Sequence, residues 1–331
     1  MADTNIATGD DAAVKRWDPG FMRQEGKKIF WAAMSGKDPN NLVQTKNELT
    51  RKPGDKITIS LFPRFSGAGV TGEGAVEGTE EQTTVQNDSV IVEMYRNAWR
   101  SAGYLTDQRS PGDLREEARF HLSQWVGERV DSVGFTAVEA LPSRIYTEIA
   151  DALVSAGPTA SVTATDLVEP MMCAYLRSAA QTLSPKVKPI RQGAKDLFVM
   201  LLHPHAAFDM KNDSTWQNFH RDADVRDPKD NYLFKAGLGI VDDVLIYSHE
   251  NVATASNWGG GAINGSRNKF LGAQAMALAW ARFPWMVEKR FEYGSQYGAM
   301  VGCILGFKKL TFDSNDFGLI ELRTARTAIT P

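Results

Sequence analysis

The sequence predicts an α+β chain in which a mixed sheet carries extended appendages. Three observations predict it. Residues 56–62 (KITISLF) alternate strictly, with Ile57, Ile59 and Leu61 on one face, and a second β-branched run follows at 83–96 beyond a glycine-rich stretch. A long helical pattern opens at Asp113 with a narrow apolar stripe. Two further buried-strand runs, 196–202 (DLFVMLL) and 243–248 (DVLIYS), are separated by long irregular segments of the kind that tend to be functional.

Residues 1–52 are polar and weakly periodic, with Trp17, Phe21, Ile29, Phe30 and Trp31 as the strong apolar anchors. They read as an extended arm with one short helix around 21–34, marginal alone and in need of a surface to lie on. The strand at 56–62 and the run at 83–96 read as one long hairpin with an oversized tip. The tip holds Gly67, Gly69, Gly72, Gly74 and Gly78 together with Glu73, Glu77, Glu80 and Glu81.

Asp113 is a plausible helix N-cap, and Glu116 sits at the third helical position, a variant of the capping box. Leu114, Ala118, Leu122, Val126, Val130 and Val133 recur every three or four residues, and the rest of the surface is charged: Arg115, Glu116, Arg119, Glu128 and Arg129 among others. Such a helix packs one face and leaves the other available. A second helix is expected over 167–183, capped by Asp166, and a further one over 213–223. Residues 253–268 (ATASNWGGGAINGSRN) read as loop by composition. Residues 270–281 are open between strand and helix. The tail, 306–312 and 317–324, reads as a second hairpin.

The 331 residues are 43% hydrophobic and 23% charged, an ordinary globular balance. A net charge of −3 carries no excess of basic residues for gripping nucleic acid through phosphates. Cys173 and Cys303 form no paired motif, so no disulfide framework is expected and a reducing cytoplasm fits. The first residues carry no apolar signal core, and the stretch 299–307 falls short of the roughly 20 residues that span a bilayer. The expectation is a soluble protein that is not secreted.

Gly67–Gly72 matches the G-x-G-x-x-G spacing of dinucleotide-binding loops. That chemistry needs a helix opening at the third glycine to hold the pyrophosphate. Gly74 and Gly78 oppose a helix here, and the four glutamates would repel a phosphate. A mobile acidic hairpin tip is the better reading. His203-Pro-His205 with Asp209 is a thin metal candidate, His220 and His249 stand alone, and a structural role at a strand end is favoured. No cofactor is expected. Trp280, Phe283, Trp285, Phe291 and Tyr293 lie among Arg282, Lys289 and Arg290; stacking on nucleic acid is one reading, core and subunit contact the favoured one. No catalytic constellation emerges, so an enzyme is not expected.

Six runs then carry a resemblance: FSGAGVTGEGAVEGTEE, DQRSPGDLREEARFHLSQWVGERVD, KVKPIRQGAKDLFVMLLHPHAAFDMKND, LFKAGLGIVDDVLIYSHENV, FLGAQA and FEYGSQYGAMVGCILGFKKLTFDSNDFGLIELRTA. Together, in order over roughly residues 55–325, they resemble the major capsid proteins of tailed bacteriophages, specifically the coat family of the N4-like podophages. The arm matches least, and residues 135–185 are looser.

The resemblance implies the Hong Kong 97-type capsid fold. Residues 1–52 would be the N-terminal arm and 53–100 the extended-loop (E-loop) hairpin region. Residues 101–189 would be the peripheral domain, with its spine helix at 112–133. Residues 190–285 would form the axial domain, and 286–331 would return to the peripheral domain with a C-terminal hairpin. It implies self-assembly as pentamers and hexamers into an icosahedral shell around double-stranded DNA, without sequence-specific binding and without a membrane. Portal, scaffolding and decoration proteins would be partners, and the virion capsid, assembled in the host cytoplasm, the location. The tip glycines and glutamates would touch neighbours, the charged helix face would set register, and Trp17, Phe21, Phe30 and Trp31 would anchor the arm. No lysine lies between Lys56 and Lys186, so a lysine crosslink from the tip is not expected. A nanocompartment shell of the same fold is the rival reading, and a nucleotide-binding enzyme using Gly67–Gly72 the more distant one.

Overall fold

The computed structural model describes residues 29–50, 54–65, 67–110, 112–193, 195–218 and 238–327. In chain order, α1 (Phe30–Met34) leads into the short strands β1 (Ser35–Gly36) and β2 (Val43–Lys46). The strands β3 (Lys56–Leu61), β4 (Gln86–Ile91) and β5 (Glu93–Arg100) follow, then α2 (Tyr104–Arg109) and α3 (Leu114–Glu139). Next come β6 (Ile145–Ile149), β7 (Ala152–Ser155), α4 (Met171–Thr182), β8 (Ile190–Gln192), β9 (Lys195–Leu202) and α5 (Pro204–Asn212). The last elements are β10 (Gly239–Val241), β11 (Val244–Ser248), β12 (Thr254–Trp258), β13 (Ile263–Leu271), β14 (Met276–Phe291) and β15 (Gln296–Lys309), then β16 (Thr311–Phe312), β17 (Asn315–Asp316) and β18 (Leu319–Ala325). No helix among the described residues is long and apolar enough to cross a membrane.

Two compact units result. The smaller takes in Met94–Arg129 and Pro284–Cys303; the larger takes in Ile29–Glu93, Val130–Phe283 and the chain from Ile304.

The larger unit is built on a nine-stranded mixed sheet of order β10-β11-β9-β13-β18-β6-β7, with β12 on β13 and β8 on β9. β9 and β11 are parallel, and beyond the exposed Lys195 and Asp196 the run Leu197–Leu202 of β9 is apolar and buried, as a strand covered on both faces must be. One face packs under α4 and α5. Phe198, Met200 and Leu202 of β9, Phe270 of β13, and Ile320 and Leu322 of β18 meet Met172, Cys173, Leu176, Ala206 and Met210 there.

On the other face the period-2 alternation puts charges at the centre. Lys269 of β13 lies directly opposite Glu321 of β18, and both are fully buried. The Lys269 ammonium pairs with the Glu321 carboxylate, Arg267 Nη2 reaches it at 2.8 Å and Arg323 Nε at 2.7 Å. Burial alone would raise the Glu321 carboxyl, but Lys269, Arg267 and Arg323 hold it at about 2. Burial lowers the Lys269 ammonium despite that carboxylate.

α3 is longer than the expected 112–133. Its apolar stripe does not stop at Val133, because Phe135 and Val138 are buried in the next two turns. Asp113 caps it as expected, with Oδ1 accepting from the amides of Arg115 at 2.8 Å and Glu116 at 3.3 Å. The expected cap at Asp166 is wrong. α4 starts at Met171 behind Pro170, and Asp166 instead accepts from Thr163 N and Ala150 N, tying down two loops. The helical run expected over 213–223 is seen at 214–218, where the described residues end.

The expected loop at 253–268 is also wrong. β12 and β13 form a hairpin there, turned at Gly259, Gly260 and Gly261, all at positive φ. Its small polar residues are satisfied inside the sheet: Asn268 Nδ2 donates to Ser266 Oγ at 3.0 Å and to Thr324 Oγ1 at 3.1 Å. The tail runs 306–312 and 317–324 meet only at their near ends, where Phe317 N donates to Leu310 O at 2.9 Å. β15 and β18 lie in different sheets, and the two-residue β16–β17 ladder closes the turn between them.

Phe30 and Trp31 anchor the start of the described chain in the larger unit. Asp131 of α3 accepts from Phe30 N at 2.7 Å and Trp31 N at 3.1 Å, capping α1. Burial raises the Asp131 carboxyl, while the two amides and His249 oppose the shift. The fully buried Trp31 ring packs on Phe135 with centroids 5.0 Å apart. It sits against Gly134, where a Cβ would lie 2.5 Å from Trp31 Cδ1. Gly134→Ala is therefore expected to cost about 1–3 kcal/mol, as overpacking does, read as a lower unfolding midpoint in denaturant. Trp17 and Phe21 lie outside the described residues.

Candidate functional site

β3 and β4 form the expected hairpin, antiparallel with Lys56 opposite Ile91 and Leu61 opposite Gln86. The second strand is shorter than the expected 83–96: it ends at Ile91, and β5 belongs to another sheet. Ile57, Ile59 and Leu61 pack with Val90, Ala277, Ala279, Leu310 and Phe312 in a small core at the hairpin root. Asp88 locks that root. Its Oδ2 accepts from Thr311 N at 3.0 Å and Oγ1 at 3.3 Å, and its Oδ1 pairs with the Lys308 ammonium.

Beyond the root, the tip leaves the ladder. Gly69, Gly72 and Gly78 take positive φ with open space around them, a conformation that glycine alone adopts without strain. Thr79 N donates to Val76 O at 3.1 Å, and Gly78 N donates to the Glu80 carboxylate at 2.8 Å, so the far turn is locally held. No helix follows Gly72; the next element is β4. The dinucleotide reading fails for want of that helix. The tip exposes both chemistries at once. Glu73, Glu77, Glu80 and Glu81 stand in solvent, and Phe62, Phe65 and Val76 are 70%, 65% and 63% exposed.

In the smaller unit the charged face of α3 is largely committed inside the subunit. Arg115 Nη2 reaches Glu288 Oε2 of β14 at 2.6 Å, and Arg119 pairs with the same carboxylate. The Arg115 guanidinium lies 4.2 Å over the Tyr297 ring, and that of Arg129 lies 4.7 Å over Tyr95. Tyr297, then Arg115 and Arg119, hold the Glu288 carboxyl down to about 2. Glu116 and Glu128 lie on the same helix, Glu116 exposed and Glu128 half-buried. A groove in this unit is lined by Trp99, Arg100, Val287, Lys289, Phe291 and Met300. Arg100 lies 4.4 Å over the Phe291 ring and Lys289 5.1 Å from its centre, so the groove is apolar with a basic rim. Sequence reasoning grouped Trp285 and Phe291 with Lys289 and Arg290 but missed Trp99 and Arg100, which come from a distant strand.

The histidine pair is structural. His203 Nδ1 accepts from His205 N at 3.2 Å as the N-cap of α5; burial, then Arg326 and His205, lower its pKa to about 4. Arg326 Nη1 meets His205 Nδ1 at 2.6 Å, and Asp209 accepts from Thr327 N at 2.9 Å. His249 stacks on Phe135 at 4.4 Å, and His220 lies outside the described residues. Among the described residues no group of three or more His, Cys, Asp or Glu side chains is arranged to hold a metal ion.

A projecting hairpin, a long helix against a sheet and a second large sheet unit are the parts expected of a shell subunit. The phage capsid protein family model matches residues 5–328. The chain belongs to the phage capsid protein family. A curated relative, the major capsid protein of Pseudomonas phage KPP25, is 28% identical, and the match covers 97% of both chains. Among solved structures, the capsid of Ralstonia phage GP4 aligns over 100% of both chains with a TM-score of 0.83 and 24% identity. The capsid of cyanophage Pam1 aligns over 98% of this chain and 99% of its own with a TM-score of 0.81 and 20% identity. The fold is the Hong Kong 97-like capsid fold. This phage capsid protein is structural: it is a major capsid protein of a tailed phage, and its place is the virion shell.

Proposed function

We propose that this capsid protein assembles as pentamers and hexamers into an icosahedral shell around double-stranded DNA, with the 62–85 hairpin tip lying on a neighbouring copy. The observation that carries the reading is the tip itself. Phe62, Phe65 and Val76 are exposed on a segment that its own chain does not cover, and exposed apolar surface of this kind marks an interaction site. Charge supports the pairing. The tip is acidic, and the Trp99–Phe291 groove of the smaller unit is apolar with Arg100 and Lys289 at its rim. Positive-φ glycines let one tip sequence meet neighbours in non-identical lattice positions. The arm, anchored at Phe30 and Trp31, adds a second contact between copies. The shell assembles in the host cytoplasm with portal, scaffolding and decoration proteins, and catalysis has no part in the role. Extraction of particles purified from infected cells tests the contents: encapsidated double-stranded DNA is expected, whereas a protein cargo with no nucleic acid would replace this reading with a nanocompartment shell.

A further inference from the structure

Glu148 is a buried acid for which the shell-forming role has no use. It lies on β6, two residues from Tyr146 and on the same face, toward the core under α4. The residue is 4% exposed, and among the described residues its carboxyl has no hydrogen-bond or ion-pair partner. Among the described residues, the ionisable groups that bear on its charge are all acids. Asp166 and Glu169 face it from the segment leading into α4, and Asp151 faces it from the β6–β7 turn. Asp213, beyond α5, faces Glu169 in turn. From α4 itself comes Tyr175, whose hydroxyl is near Leu153 O, opposite Glu148 in the β6–β7 ladder, at 3.3 Å.

Asp166 is committed to two backbone amides. It is buried, its Oδ1 accepts from Ala150 N at 3.1 Å and its Oδ2 from Thr163 N at 2.8 Å. Those two bonds hold the β6–β7 turn, where Ala150 and Asp151 both sit at positive φ, against the loop before α4. A carboxylate at Glu148 would be desolvated and would push on the carboxylate that holds both loops. A neutral carboxylic acid would do neither.

We propose that Glu148 is a proton-operated latch on the β6–β7 turn. With the proton on, the turn and the 163–170 segment close on the start of α4; with the proton off, repulsion from Asp166 loosens them. Burial first, then Asp166, Glu169 and Asp151, raise its pKa from the ordinary 4.5 to about 7. Closing therefore takes up a proton between those values. Closure is fully favoured below about 4.5, weakens roughly tenfold per pH unit up to about 7, and is level above that.

Peptide-resolved hydrogen exchange across 145–166, corrected for the intrinsic pH dependence of exchange, tests this. In the wild-type chain, protection of the Ala150 and Thr163 amides should fall about tenfold per unit from pH 5 to 7 and then flatten. In Glu148→Gln, which keeps the shape of the neutral acid, it should stay level. Level profiles in the wild type, or the same slope in both chains, would overturn the proposal. Should the variant not fold, a carbon-13 titration of the wild-type Glu148 carboxyl decides: a midpoint near 7 supports the latch, and one near 4.5 rules it out.

Discussion

Replacing Glu321 with Leu should lower the unfolding free energy by about 3–5 kcal/mol, the cost of breaking a buried charge pair from one side. The variant leaves the Lys269 ammonium, 2% exposed, without its anion in the middle of a sheet. Arg267 and Arg323 keep some access to water, with side chains 26% and 21% exposed, so they can turn outward. Lys269 cannot. The double variant Lys269→Met with Glu321→Leu should recover most of the loss, because apolar replacements remove the desolvation cost on both sides. The pH dependence has a definite sign. A carboxyl held at about 2 contributes stability above its ordinary 4.5, and that contribution is lost as pH falls toward 2. The gap between wild type and Glu321→Leu should therefore narrow over that window. Denaturant unfolding at several pH values reads both effects. A single variant within about 0.5 kcal/mol of wild type, the range of ordinary surface changes, would show that the network is not buried in solution.

Deleting residues 67–78 should abolish or cripple shell closure and leave the subunit folded. The deleted segment holds Gly67 to Gly78 and only exposed side chains, while the root is locked by Asp88 and by the core around Val90 and Phe312. The change in subunit stability should stay within about 0.5 kcal/mol. Particle yield should fall by at least about tenfold, the factor that roughly 1.4 kcal/mol of lost contact energy gives at each interface. Sedimentation and negative-stain imaging read the yield, and thermal melting reads the subunit. Normal particles with unchanged heat resistance would remove the tip from intersubunit contact.

Much of the fold was legible in local pattern. The Ile57/Ile59/Leu61 alternation, the apolar run of β9 and the stripe from Leu114 to Val133 each name their element without outside help. What was not legible depends on partners far along the chain. Residues 253–268 looked like loop because Gly, Ser and Asn dominate. They form strands because Asn268, Ser266 and Thr324 satisfy one another across a ladder joining segments 56 residues apart. Nothing local marks Lys269 and Glu321 as core residues; only the register that sets them opposite each other does. Asp131 carried a weak local signal, an acid next to Val130 in the apolar stripe. Its role as the cap of α1, a hundred residues earlier, needs the tertiary fold. For the candidate site, the acidic glycine tip could be read directly. The groove in the smaller unit could not, because Trp99, Arg100, Val287 and Phe291 come from different strands.

The central claim is that this chain is a shell subunit whose hairpin tip is completed by a neighbour. A cryo-electron microscopy reconstruction of particles assembled from the purified chain tests it most directly. The account predicts closed particles with five-fold and six-fold capsomers, and density for residues 67–81 lying against an adjacent copy. A chain that stays monomeric, or a shell in which that tip rests only on its own subunit, would contradict it.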